Sequence, residues 1–233
     1  WTALHRVARY GRDADLVAAL LEAGADANAA LADGETPLLI VIERGDRFAE
    51  LGQFISVLIR GGADVNAAGD HGWTALHRAA DHGSNATTVE LLLAAGADVD
   101  ARLSIGSTPL LAATRREDMA PEIAGMIAAL LRVGADVDLA NDKGWTALHR
   151  AGRYSPTTGP VDVLLEAGAD PNRKNDFWQH AAALCGAATG STGIDRVAGP
   201  SGGRPGDHNP ERGNAAARRG SSRGACGCRR NAA

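Results

Sequence analysis

The sequence predicts an all-α repeat solenoid, and three observations predict it: a phrase returning at fixed spacing, a second marker locked to it, and a composition suited to small helices. Trp-Thr-Ala-Leu-His-Arg stands at residues 1–6, 73–78 and 145–150, with Thr-Pro-Leu-Leu at 36–39 and 108–111 between them. The threonines fall at 2, 36, 74, 108 and 146, so spacings alternate between 34 and 38 and the full unit is a double repeat, running from Thr2 to Thr74 and again from Thr74 to Thr146. Gly-Ala-Asp starts at 24, 62, 96, 134 and 168, each time at the same interval ahead of the next threonine position, 36, 74, 108, 146 and then 180. Apolar residues make up 45% of the 233-residue chain but aromatics only 4%, which suits helices in close contact and not an aromatic-centred barrel or sandwich.

Each element has a local reason. Thr2, Thr36, Thr74, Thr108 and Thr146 stand where a side-chain oxygen caps the free N–H groups opening the first helix of a repeat. Pro37 and Pro109 take the first helical position, where no N–H is needed. The second helix reads as apolar rows such as Val89, Leu91, Leu92 and Leu93, or Val161, Val163, Leu164 and Leu165, and Gly96 or Gly168 ends it in a left-handed conformation. The four extra residues of the longer repeats fall in Gly45–Gln53 and Arg116–Gly125. Phe48, Leu51, Phe54, Ile55 and Leu58 keep helical spacing, so the insertion is expected to start the second helix about one turn early, with a longer loop as the alternative. One such pair cannot bury its apolar face alone, but five stacked pairs can.

These residues resemble the ankyrin repeat, whose motifs are Thr-Pro-Leu-His in the first helix and Gly-Ala-Asp-Val-Asn after the second, and the resemblance covers residues 1 to about 176. It implies five repeats starting near 1, 35, 73, 107 and 145, with helix pairs joined by β-hairpin-like loops into a curved solenoid that binds a partner protein. The family's partner-facing positions are the hairpin tips and the ends of the first helices. Carried over residue by residue, they are Arg9 and Tyr10; Asp33, Glu35, Glu43 and Arg44; Asp70, His71, Asp81 and His82; Ile105, Ser107, Arg115 and Arg116; Lys143, Arg153 and Tyr154. Trp73 and Trp145, like Trp1, precede the capping threonine and either meet a partner or pack on the neighbouring hairpin. The family uses the histidine of the motif, here His5, His77 and His149, to bond the threonine and backbone; Leu39 and Leu111 leave the even repeats without that bond.

Charge and motifs narrow the function. Residues 1–185 hold 16 Lys+Arg against 25 Asp+Glu, a net of −9, and such an array repels phosphates, so a nucleic-acid partner is not expected there. No run of about 18 apolar residues offers a membrane span. No phosphate-binding loop, nucleophile elbow or Cys-x-x-Cys pair is present, so the expectation is a monomeric, non-enzymatic scaffold for an unknown protein, with no cofactor and no metal. The alternative is the targeting module of a larger enzyme or effector, since a chain beginning at Trp1 reads as a fragment. Cysteine first occurs at Cys185, so the repeats need no disulfide, which fits a reducing compartment such as the cytoplasm, secretion staying open because the true N-terminus is missing.

Residues 186–233 are different material, with 8 Arg against 3 acids, and taken literally they read as a disordered Gly/Arg/Ala tail that invites an RNA-binding reading. A one-base shift explains them better. Reading codons one base late lets Gln179-His180-Ala181-Ala182-Ala183 become Ser-Thr-Pro-Leu-His, with its threonine at 180, where the repeat requires it. The same shift lets Gly202-Gly203-Arg204 become Gly-Ala-Asp and Asn214-Ala215-Ala216-Ala217 become Thr-Pro-Leu-His. The expectation is a single-base insertion near Phe177–Trp178, with 177–233 an out-of-frame reading of further repeats; the coding DNA decides it. Cys226 and Cys228 are then neither a metal site nor a redox pair.

Overall fold

The computed structural model describes residues 1–45, 50–82, 86–115, 121–155, 157–177 and 179–181. The described residues all lie in one unit, Trp1–Val197. They form five helix pairs: α1 (Ala3–Tyr10) with α2 (Ala14–Glu22), α3 (Pro37–Glu43) with α4 (Leu51–Arg60), α5 (Ala75–His82) with α6 (Ala86–Ala94), α7 (Pro109–Ala113) with α8 (Pro121–Arg132), and α9 (Ala147–Tyr154) with α10 (Gly159–Glu166). First helices pack on first helices in chain order, second helices on second helices, so the stack is an all-α solenoid two helices deep. Isolated bridges at Ala68–Thr74 and Lys174–His180 are the nearest approach to a sheet among the described residues.

The caps form as the sequence requires. Thr2, Thr36, Thr74, Thr108 and Thr146 each accept the backbone N–H three residues on through Oγ1, and each such cap contributes about 1 kcal/mol. At the other end Gly96 adopts φ +89 and donates to the Leu93 carbonyl while Ala97 donates to Leu92, a Schellman closure. The same pair of bonds recurs at Gly24, Gly62, Gly134 and Gly168. Between caps, the leucine two residues after each threonine (Leu4, Leu38, Leu76, Leu110, Leu148) is buried, as are Leu58, Leu92, Leu130 and Leu164 of the second helices.

The insertion resolves unevenly. Relative to the closing Gly-Ala-Asp, α8 starts three residues earlier than α2 or α6, close to the expected turn, but α4 starts only one residue earlier. Residues 46–49, including Phe48, lie outside the described residues, as do 116–120. The early start therefore holds for α8 and is corrected for α4, where Glu50 at φ −90, ψ 8 is the N-cap without a side-chain bond.

Two ladders tie the repeats together. His5, His77 and His149 are buried; each Nε2–H donates to a carbonyl 30 residues on, that of Glu35, Ser107 or Gln179, at 3.2, 3.1 and 3.1 Å. That leaves Nδ1 to accept from the threonine hydroxyl at 2.7–2.9 Å, so the ring is a neutral strut between repeats. Burial pushes His77 and His149 below the ordinary imidazole value, against the opposing pull of the carbonyls. The second ladder follows Gly-Ala-Asp. Asn28 accepts from the Asp64 N–H and donates to the Gly62 carbonyl, and Asn66 repeats this with Asp98 and Gly96.

Candidate functional site

The loops between repeats are linked tip to tip: Ser104 N–H donates to the His71 carbonyl, Asp142 N–H to Ile105 and Asp176 N–H to Lys143. At one tip His71 adopts φ 55, its N–H held by the Asp70 carboxylate at 2.9 Å. This row stands over the first-helix layer, as a pocket of about 360 Å³ demonstrates: tip residues His71, Ser104 and Ile105 line it together with Ala112 of α7, Arg115 just beyond α7 and Arg150 of α9. Trp73 and Leu103 supply apolar wall.

The residues carried over from the resemblance divide by what their side chains do. Tyr10 (71% exposed), Ile105 (57%) and Tyr154 (40%) present large apolar surface, and Asp33, Asp70, His71, His82 and Lys143 are also exposed. Arg153 lies over the Trp145 and Tyr154 rings at 5.7 and 5.5 Å, and Arg115 over Trp73 at 5.6 Å. Trp73 and Trp145 are half-buried against His77, edge-on, and His149, tilted, with centroids 6.0 and 5.9 Å apart. Arg9 pairs with Glu43 at 3.1 Å. Arg116 lies outside the described residues.

Four of these residues are engaged within the protein. Ser107 is buried, because its carbonyl closes the His77 strut and the residue sits beneath the tip instead of on it. Glu35 is largely buried against Arg78, and Asp81 holds Arg115 through both carboxylate oxygens at 2.7 and 2.6 Å. Arg44 turns inward to donate to the carbonyls of Ala8 and Gly11, at 2.9 and 2.7 Å, satisfying the end of α1. Burial first, then Arg12 and Arg9, pushes the Arg44 pKa down.

Sequence reasoning missed Arg78 and Arg150, the last residue of the Trp-Thr-Ala-Leu-His-Arg phrase. Arg78 meets Glu35 and lies 3.7 Å from Glu43. One double repeat later Arg150 takes its place, but Glu35 becomes Ser107 and Glu43 becomes Arg115. The pair between successive first helices reverses sign over the same step, Arg9–Glu43 becoming Asp81–Arg115. These acid-to-serine and acid-to-arginine changes within the double repeat were the signal available in the sequence.

The described residues hold no group of three His, Cys, Asp or Glu able to share a metal ion, and the strut histidines have both ring nitrogens engaged. No helix among them is long and apolar enough to cross a membrane. A family profile described as ankyrin repeats (3 copies) matches residues 4–103 and again 84–175. No curated protein matches the chain.

Proposed function

The chain belongs to the ankyrin-repeat family, and from that premise we propose that it is a non-catalytic scaffold whose partner protein lies along the concave face made by hairpin tips and first helices. The pocket between the tips and α7–α9 carries this reading, because it joins apolar wall from Trp73, Leu103 and Ile105 to a few polar groups, the usual make-up of a recognition site. Exposed Tyr10, Ile105 and Tyr154 extend it along the array as the aromatic and aliphatic anchors that dominate protein interfaces. Arg9, Glu43 and Arg115, with exposed Asp33, Asp70 and Lys143, give the face mixed charge, which fits a protein better than a polyanion.

The same proposal takes the array as five repeats over 1–176, with further repeats written out of frame after it. It is supported by Gln179, whose carbonyl accepts from His149 as Glu35 accepts from His5. The test is capture from a lysate with the wild-type chain and with a Tyr10→Ala/Ile105→Ala/Tyr154→Ala variant. Partners held by the first and lost by the second are expected; an unchanged set places the interface elsewhere.

A further inference from the structure

Arg150 is a half-buried side chain whose guanidinium forms no hydrogen bond or ion pair with the described residues; its Nε is shut away from solvent without a partner, as is that of Arg78. A buried charge left in this way is costly unless something completes it. The molecule contains its own ion-paired version one double repeat earlier. There Arg78, at the equivalent position, takes the carboxylate of Glu35, which reaches it from the residue before the capping threonine. At Arg150 that residue is Ser107, too short to reach, and the space a glutamate would fill is part of the open pocket. The second acid near Arg78, Glu43, is replaced by Arg115, whose charge Asp81 already neutralises through both oxygens. Of the other groups facing the site, His71 lies 3.3 Å from Asp70 at the tip; burial and then the Arg115 charge disfavour the charged form of Arg150, while Tyr154 and Asp81 oppose them.

We propose that this pocket receives a glutamate side chain of the partner protein, its carboxylate taking on Arg150 the place that Glu35 takes on Arg78. The inference rests on the proposed binding face and names what one part of it recognises. The pocket's chemistry suits that side chain: Trp73, Leu103 and Ile105 offer apolar surface to two methylenes, and Arg150 offers a planar donor fork to the carboxylate. A glutamate completes the site without shifting either repeat, since the chain already accommodates this arrangement between Glu35 and Arg78.

The test uses the full chain and three capped tripeptides, acetyl-Gly-X-Gly-amide with X as Glu, Gln or phosphoserine, followed by the Arg150 Nε–H signal in NMR. The Glu peptide is expected to shift that signal saturably and to bind at least about tenfold more tightly than the Gln peptide, as a charge-assisted bond requires. Ser107→Glu is expected to rebuild the Glu35–Arg78 arrangement, raising Tm by about 2–4 °C and abolishing the response to the Glu peptide. No saturable shift, equal response to Glu and Gln, or a Ser107→Glu chain that still binds the Glu peptide overturns the proposal. Tighter binding of the phosphoserine peptide overturns the carboxylate assignment in favour of phosphate. A responsive pocket alongside unchanged partner capture by the Tyr10/Ile105/Tyr154 variant removes the wider face and keeps the site, whereas partner loss with a silent pocket removes only the site.

Discussion

Asp100→Asn is expected to stabilise the array although it removes a charge that accepts hydrogen bonds. The loop ladder supplies the reason. Asn28 and Asn66 each use both ends of the amide, accepting from the next repeat's Asp N–H and donating to the glycine carbonyl two residues before it. Asp100 occupies the next rung and accepts from the Asp136 N–H at 3.1 and 3.3 Å, but a carboxylate has no hydrogen for the Gly134 carbonyl. Its burial, and after that the charges of Asp136 and Asp98, raise its pKa, outweighing the Asp136 N–H that lowers it. The substitution adds one neutral hydrogen bond and removes like-charge repulsion at the expense of one charge-assisted acceptor, a net gain of about 0.5–1 kcal/mol. For a chain of this size that is a Tm increase of about 1–4 °C. The sign with pH follows from linkage. The folded state holds the Asp100 proton more tightly than the unfolded state, so the wild type loses stability as pH rises from the ordinary carboxylate value of 3.8 through the raised one. Above that range the Asn variant should show its whole advantage; near 3.8 and below, a protonated Asp100 can itself donate and the advantage should shrink. Thermal unfolding followed by circular dichroism between pH 4 and 7 measures the difference. An Asn variant that melts below wild type at pH 7, or whose advantage is independent of pH, refutes the reasoning.

The strut and the buried ion pair give two further expectations. His77→Leu keeps a residue type that Leu39 and Leu111 show to be buried at this position, but it takes from the Ser107 carbonyl one of its two donors, the Leu103 N–H remaining, and removes the acceptor of the Thr74 hydroxyl, at about 1–2 kcal/mol by chemical denaturation. Because burial depresses the folded pKa of His77, wild-type stability should be complete above the ordinary value of 6.5 and fall as pH drops below it, and the leucine variant should lose that part of the slope. Glu35→Ala leaves Arg78 buried with only Glu43, 3.7 Å away and already paired with Arg9, and should cost about 2–4 kcal/mol in urea unfolding, with Glu35→Gln costing less because it still accepts a hydrogen bond.

Much of the fold was legible because its determinants are local. A threonine capping the N–H three residues on, a proline at the first turn and a glycine at φ near +90 act within one helix end, so their spacing in the chain is their spacing in space. The candidate site was legible only in outline. Tyr10, Ile105 and Tyr154 are exposed as their positions in the repeat imply. Glu35, Ser107, Asp81 and Arg44 occupy positions of the same kind and are used inside the protein, because their partners come from neighbouring repeats 30 to 43 residues away. The start of α4 was misjudged for a related reason: four extra residues set a length but not a conformation, and packing against neighbouring repeats decides where the helix begins.

The repeat, its alternation of short and long units, the ends of most helices and the leucine core all depend on chemistry within one repeat, and the chain of letters alone carries them. Which charges cancel is a matter of stacking. Stacking brings each first helix against the next, and there a glutamate that neutralises Arg78 has no counterpart beside Arg150. One position in the repeat therefore gives a finished ion pair in one double repeat and an open pocket in the next.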